Sequence, residues 1–489
     1  MILALDIGTS SVRAGLYDLD AEALRRANVK IERSLVSTAS GGAEIDAEEA
    51  FEQVVAAIDG CLTKAERVEG EIAYVACSSF WHSLVGIDAK GRPTTKVLSW
   101  ADTRSRHFTS ILGKHFDETA VHNRTGARFH SSFWPAKLLW LRAEFPDRFA
   151  RTDKWLSLSD YIALRLSGSA DTSISMASAT GVFDIRRCEW DRELLRYLKV
   201  KPQNLPTVVS SDSQTFRLKG PFAQRWPRLK DARWFPAIGD GAADNIGSQC
   251  VKKNKAALMV ATSGAMRIAY AGDPPEQIPD GLWCYRIDRK RVVTGGALSD
   301  GGGLYQWLKA NLKIKLSDAA IADEIARRGA AAHGLVFMPF VFGERSTGYH
   351  EAAAGSLLGL RSSHDAIDIL QAAMESVAYR FAEIHDQIQC VSKIREIVAS
   401  GGALREFPIW AQIIADVLGR DLMHQPPQES SSRGAVLLAL ESIGKIEKIE
   451  NAPAPIVETK AYHPKCHAIY KIARKRHREI YNAIINSSK

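Results

Sequence analysis

Cysteine is scarce: the 489-residue chain holds seven (Cys61, Cys77, Cys188, Cys250, Cys284, Cys390, Cys466), scattered and never spaced C-x-x-C. An odd, dispersed set indicates neither a disulfide framework nor a zinc ribbon. No run of 18 apolar residues occurs, so no membrane partner is expected, and Ile2-Leu3-Ala4-Leu5-Asp6 after Met1 lacks a basic n-region and a small-residue cleavage site. These absences lead to the expectation of a soluble, reduced, cytoplasmic protein. The familiar nucleotide loops are missing as well. The Gly-Lys pairs, Gly113-Lys114 and Gly444-Lys445, are not followed by Ser or Thr, which excludes a G-x-x-x-x-G-K-[ST] loop. No G-x-G-x-x-G follows the first apolar run, which weakens a dinucleotide-binding reading.

What is present is ordinary in amount: 46% hydrophobic and 25% charged residues, with 35 Gly against 18 Pro, all near the averages for globular proteins. The length accommodates about two to four domains. A net charge of +8 first suggests an anionic partner such as nucleic acid, but its location argues otherwise. Residues 456–489 hold eight basic groups (Lys460, Lys465, Lys471, Arg474, Lys475, Arg476, Arg478, Lys489) and two acidic ones (Glu458, Glu479). This tail carries +6 and leaves +2 on the other 455 residues. Aromatic residues are not interleaved with basic ones in the lobes, so no nucleic-acid partner is expected. Ile469, Ile472, Arg476, Ile480 and Ile484 recur at near-helical spacing, which predicts a terminal amphipathic helix set off by Asn451 to Pro455.

Two strand–turn–strand units open the two halves. Ile2 to Leu5 is an apolar run, Gly8-Thr9-Ser10-Ser11 is turn chemistry, and Val12, Ala14 and Leu16 alternate behind it. About 250 residues later Ala256 to Val260, Thr262-Ser263-Gly264 and Ala265 to Tyr270 repeat the device. Two related lobes follow, with a boundary between Gly247 and Lys255. Spacings of three and four over 365–388 predict a long helix with Asp365 in its first turn, and further helices are expected at 407–418 and 433–443. Strands alternating with helices make an α/β protein.

Several residues carry candidate chemistry. Asp6-Ile7-Gly8-Thr9-Ser10-Ser11 sets an acid at the end of a buried strand beside a turn of small residues. Such a turn can aim N–H groups and hydroxyls at phosphate, while the acid holds hydrated Mg²⁺; an ordinary hairpin with Asp at its turn has the same pattern. Thr262-Ser263-Gly264 repeats the turn, and Ser400-Gly401-Gly402-Ala403 follows an apolar run and precedes a helix, so backbone can approach a ligand there. Gly239-Asp240-Gly241 leaves a carboxylate free of side-chain crowding, suited to taking a proton from a hydroxyl that attacks a phosphoryl group, or serves as a turn. Gly301-Gly302-Gly303 reads as a loop before a helix of Leu304, Trp307 and Leu308, and His463-Pro464-Lys465-Cys466-His467 fits no familiar metal spacing.

The chain resembles the FGGY carbohydrate kinases, from Asp6 nearly to the tail. Asp6-Ile7-Gly8-Thr9 matches the family's first hairpin, Trp100-Ala101-Asp102-Thr103-Arg104 its sugar-site motif, Gly239-Asp240 its catalytic segment and Thr262 to Gly264 its phosphate turn. Phe340 to Arg345 looks like its Gly-Glu-Arg segment, and Gly401-Gly402-Ala403, with Gln412 and Asp416, like its adenosine-side motif. The resemblance implies a two-lobed actin-like ATPase (ribonuclease H-like) fold with an interlobe cleft. Its lobes would be 1–248 and 249–450, followed by a basic helix at 451–489. It implies ATP and Mg²⁺ as cofactors, a small sugar or sugar acid as partner, and allows a homodimer.

By the same resemblance Asp240 is the catalytic base. Asp6, Gly8, Thr9, Ser10, Ser11, Arg13, Thr262, Ser263, Gly264, Gly401, Gly402 and Ala403 would face the nucleotide, with Asp6 and Asp240 towards the metal. Trp81, His82, Asp102, Arg104, Arg128, Asp240 and Arg267 would face the sugar. Ser78 to Ser83 and Thr262 to Arg267 look most like gluconate kinases, so D-gluconate is the leading substrate and a ketopentose such as xylulose or ribulose the alternative. Arg267, Arg128, Arg104 and His82 are candidate partners for a sugar carboxylate, or else surface charges and internal ion pairs. Trp81, Ala261, Thr347 and Ala354 depart from the family's usual Met, Gly, Pro and Arg, and several of them flank the cleft. A catalytically silent ATP-binding sensor is the reading from another class; it predicts loss of Asp6 or Asp240, and both are present.

Overall fold

The computed structural model describes residues 1–210, 215–425, 429–453, 455 and 459–486. Glu458 and Lys489, counted in the tail charge, lie outside them. Each half is built on a mixed sheet that begins with its hairpin. In the first, Ile2–Ile7 pairs antiparallel with Ser11–Tyr17, from Ile2 opposite Tyr17 to Ile7 opposite Val12, and parallel with Tyr74–Ser79. Strands Val29–Glu32, Arg233–Trp234 and Ile238–Gly239 complete that sheet.

All six residues of Ile2–Ile7 are buried because helices cover both sides of the sheet. Leu3, Leu5 and Ile7 pack into a core with Phe51, Val54 and Ile58 of helix Ala47–Lys64. Ile2 and Ala4 pack on the other side with Val436, Leu437 and Leu440 of helix Ser430–Ser442. Successive strand side chains alternate sides, so Asp6 shares the side of Ile2 and Ala4, facing the second half of the chain.

In the second half Lys255–Val260 pairs antiparallel with Gly264–Ala271, and the sheet runs on through Arg291–Leu298 and Trp283–Arg286 one way and Glu396–Ser400, Leu422–His424 and Lys460–Tyr462 the other. Helix Ala366–Val391 lies buried against it. Asp365 proves to be its N-cap rather than a first-turn residue, accepting from Ile367 N and Asp368 N in a capping box with Asp368. Helix Pro408–Leu418 ends at left-handed Gly419, as the spacing predicts. The helix expected at 433–443 begins three residues earlier at Ser430, and the glycine run at 301–303 is already helical from Gly302. Of the described residues in the helix expected at 451–489 only His467–Asn486 is α-helical, because Lys460–Tyr462 pairs with Leu422–His424 as the edge strand of the second sheet; among the described residues no helix is long and apolar enough to cross a membrane.

Two helices cross between the halves. Asp240–Gly247 springs from the first sheet and packs on strand Gly264–Ala271 of the second, while Ser430–Ser442 comes from the second half and packs on Ile2–Ile7 and Tyr74–Ser79 of the first. They meet backbone to backbone. A Cβ on Gly247 would lie 1.9 Å from Ser430 O, and one on Gly434 would lie 1.9 Å from Ala243 O. The result is a two-lobed actin-like α/β fold with its cleft above this crossing.

Candidate active site

The first hairpin delivers an acid to the cleft. Asp6 Oδ1 accepts from Ser78 Oγ at 2.7 Å and Oδ2 pairs with Arg13 Nη1 at 3.1 Å. Gly8 N donates to Ser11 O at 2.9 Å and closes the turn, whose Thr9 Oγ1 accepts from Trp100 Nε1 at 3.2 Å. Ser11 is buried, and Ser10 O accepts from Arg33 N.

The second hairpin is neutral at its turn and partly filled from within. Ala261 N donates to Ser263 O, while Gly302 N and Gly303 N donate to the carbonyls of Ala261 and Thr262. Gly264 belongs to the strand, not the turn, and it is small because a Cβ there would come within 2.7 Å of the Phe381 ring. Gly401 has φ +108°, and a Cβ there would meet Val260 O at 2.2 Å, so only glycine fits before the short helix Gly402–Glu406, which holds Ala403. Gln412 and Asp416 also hold the tail: Gln412 Nε2 donates to Asp416 and to His463 O, and Asp416 Oδ1 accepts from Lys465 N and Cys466 N. His467 Nδ1 meets Asp416 O at 2.9 Å.

Asp240 is the first residue of its helix and accepts from Gly241 N at 2.8 Å. Desolvation is the main cause that lifts its pKa from 3.8 to about 6; Arg267 opposes the rise and the Asp6 charge adds to it. The glycines on either side of it are there for Trp81. A Cβ on Gly239 would fall 1.7 Å from the indole nitrogen of Trp81 and one on Gly241 2.5 Å from its ring. Trp81 thus braces the Asp240 backbone, donates from Nε1 to Ser175 O at 3.2 Å, and packs edge-on against Trp283 and Tyr285.

His82 has φ +68° and its Nδ1 lies 2.7 Å from Ala179 O. Burial, with help from the Arg345 charge, holds its pKa well below 6.5, so the ring is neutral. A neutral ring that donates from Nδ1 keeps Nε2 as an acceptor. Lys137, absent from the sequence-based set, is fully buried and donates from Nζ to the carbonyls of His82 (3.1 Å), Ser99 (2.7 Å) and Ser132 (2.8 Å). It ties together three loops that border the cleft.

The arginines sort themselves by partner. Arg104 is bound by Asp102 at 2.6 Å and Glu44 at 2.7 Å, and the buried Asp102 also accepts from Ala43 N, so Arg104 is tied to two carboxylates through Nη2. Arg128 meets Glu118 at 2.7 and 3.0 Å and Asp280 O at 3.0 Å. Arg267 pairs with Asp244 at 2.5 Å and with Asn245 Oδ1 at 3.0 Å. All three are internal ion pairs. Arg345 differs: it stacks over Trp100 at 4.9 Å, lies within range of the Asp240 charge, and has no carboxylate partner among the described residues. Its place in the Gly-Glu-Arg motif does not mark it as unpaired: that follows only from the fold, in which the neighbouring Glu344 is held by Arg380 and Tyr481.

Among the described residues no three His, Cys, Asp or Glu side chains converge to hold a bare cation. Asp6 and Asp240 approach closely enough for one charge to raise the other's pKa, a donor set that fits a cation kept hydrated rather than chelated. Residues 1–245 match the N-terminal domain of the FGGY family of carbohydrate kinases, and residues 276–442 match its C-terminal domain.

The chain belongs to the FGGY family of carbohydrate kinases.

This FGGY kinase is 26% identical to the gluconokinase of Bacillus subtilis, over all of its own length and 95% of that protein's. The crystal structure of gluconate kinase from Lactobacillus acidophilus superposes with a TM-score of 0.89 at 26% identity, covering 99% of this chain and 98% of that one. Xylulose kinase from the same organism, with ligand bound, gives a TM-score of 0.89 at 25% identity, covering 100% and 99%. It is accordingly an ATP-dependent phosphotransferase acting on a carbohydrate hydroxyl.

Proposed function

We propose that this FGGY kinase phosphorylates a sugar acid at a primary hydroxyl, with D-gluconate, giving 6-phosphogluconate, as the substrate that suits it best. The carrying observation is Arg345. A carboxylate substrate calls for an unneutralised cation in the sugar pocket, a short carbon chain away from the hydroxyl that reacts, and Arg104, Arg128 and Arg267 each already face a carboxylate. Arg345 does not, and its charge reaches Asp240. The gluconate kinases among the similar proteins support the same reading. A ketopentose substrate is the second reading, favoured by the equal likeness to a xylulose kinase.

In the reaction Asp240 takes the proton of the attacking hydroxyl while that oxygen bonds the γ-phosphorus and the bond to the β–γ bridging oxygen breaks, leaving ADP. A pKa of about 6 leaves the carboxylate ionised at pH 7 yet basic enough to act. Asp6 would hold Mg²⁺ through water, and the bound ion would offset charge on the phosphate oxygens. The turns at Gly8–Ser11 and Thr262–Ser263 face the phosphates, and the Gly401–Ala403 segment the nucleoside. Nε2 of His82 accepts from a sugar hydroxyl. Lobe closure excludes water and limits wasteful ATP hydrolysis.

The test is ADP release on gluconate, xylulose, ribulose and glycerol, with Asp240→Asn as the blank. The highest kcat/KM is expected on gluconate, and Arg345→Met should reduce it there by about 10- to 100-fold, the worth of one charge-assisted bond, with a smaller loss on xylulose. Equal or higher rates on xylulose, or equal losses on both sugars, would sink the gluconate reading and leave the kinase intact.

A further inference from the structure

The basic tail takes no part in the phosphoryl transfer described above, yet its charge is not spread evenly over solvent. A pocket of about 350 Å³ opens where the start of helix His467–Asn486 meets the end of helix Pro408–Leu418 and the last turns of helix Ala366–Val391. Its volume lies within the range of small-molecule sites. Arg420, Lys471 and Arg474 line it, with the rings of His385 and His467 and an apolar floor of Ala382, Val417 and Leu418. No residue assigned above to the sugar or the nucleotide lines it.

Asp386 is the single carboxylate in the lining. It is already shared by Arg474, in a close ion pair, and by Arg478 Nη2 at 3.4 Å. Arg420 and Lys471, by contrast, have no carboxylate partner among the described residues. Three formal cations against one anion leave a net charge of +2 in a concave site. Two unpaired cations on different elements, beside an Arg already fixed by Asp386, line one concave site and suit a compact anion of high charge. An apolar floor beneath them suits an ester that carries carbon as well as charge.

We infer that this pocket binds a phosphate dianion, either inorganic phosphate or the phosphate ester of a small sugar. The inference rests on the pocket and not on the identity of the kinase's sugar. An ester of that kind is what any carbohydrate kinase releases, so occupancy of the pocket would follow product.

The test titrates inorganic phosphate and, separately, 6-phosphogluconate into the full-length protein with the cleft saturated by ADP, using calorimetry. One saturable site is expected for at least one titrant. In the double variant Arg420→Ala, Lys471→Ala that site should weaken about 100-fold through loss of two charge-assisted contacts, while kcat without added phosphate stays within about twofold, since neither residue touches the cleft. Asp386→Asn should tighten binding severalfold by removing the counter-charge. Tight binding of phosphate alone names free phosphate as the ligand, and tighter binding of the ester names the ester. Unchanged affinity in the double variant would place all binding in the cleft and overturn the inference. So would the absence of saturation by either titrant, or weaker binding in Asp386→Asn.

Discussion

The two halves of this kinase use one backbone device and load it differently. Each has a hairpin facing the cleft and a helix crossing to the other half. The first half puts a carboxylate on both parts, Asp6 on the hairpin and Asp240 at the start of the helix. The second half puts Thr262 and Ser263 on its hairpin turn and Ser430, Ser431 and Ser432 at the start of its helix. Ser431 Oγ lies 3.5 Å from Asp240 O, so the two helix starts face one another. The two acids suited to a metal and a proton thus come from the first half, while the second half lends hydroxyls at the matching places, with Glu429 capping its helix. A polyanionic substrate sits more easily against neutral donors than against acids, whereas a hydrated cation and a proton acceptor require acids.

The largest effect that tests this asymmetry is at the helix starts. Asp240→Asn should lower kcat by about 10³-fold or more, the scale of a lost general base, while Ser431→Ala changes it little. The same Asp240→Asn change should raise the thermal midpoint. The folded pKa of Asp240 is lifted from 3.8 to about 6, so its contribution to stability is fully present below pH 4 and lost as pH rises through 6. Asparagine, neutral at every pH, escapes that loss, which is at most about 3 kcal/mol. Retained turnover within tenfold would remove Asp240 as the base.

Next come the hairpins. Asp6→Asn should cost about 10²-fold in kcat and raise the Mg²⁺ concentration needed for half-maximal rate, while Thr262→Ala costs about tenfold with no change in Mg²⁺ demand. Equal losses would erase the distinction between the two turns. The helix crossing is symmetric where the chemistry is not. Gly247→Ala and Gly434→Ala should therefore each destabilise by about 1–3 kcal/mol in denaturant titrations, since each Cβ strikes a carbonyl at 1.9 Å. The smallest effect is on pH. The kcat/KM profile should rise with slope one through about pH 6, and in Asp6→Asn the midpoint should move lower, because Asp6 is one cause of the raised Asp240 pKa.

Much of the frame is written locally. The apolar run Ile2–Leu5, the small turn and the alternation at Val12, Ala14 and Leu16 predict a hairpin, and residues 2–17 form one. The three-four spacing from Ile367 to Ile388 predicts the buried helix because both depend on neighbours within a turn or two. The glycines were visible and their reason was not. Gly239 and Gly241 look like freedom around a carboxylate, but they make room for an indole about 160 residues away. The motif arginines show the same limit. Arg104, Arg128 and Arg267 carry the right charge for a sugar acid; apart from Asp102, two residues from Arg104, their partners Glu44, Glu118 and Asp244 lie 60, 10 and 23 residues distant. Lys137 sits in an apolar helix face with no motif to mark it until three loop carbonyls close on it.

Order along the chain was enough to establish two hairpins, two α/β halves, the positions of Asp6 and Asp240, and membership of the kinase family, since each is a matter of short-range period or of residue type in series. Which charges remain available was settled by packing. Neutralisation is a contact across about 3–4 Å that only the folded chain decides, and among the described residues it left Arg345, Arg420 and Lys471 as cations without a carboxylate.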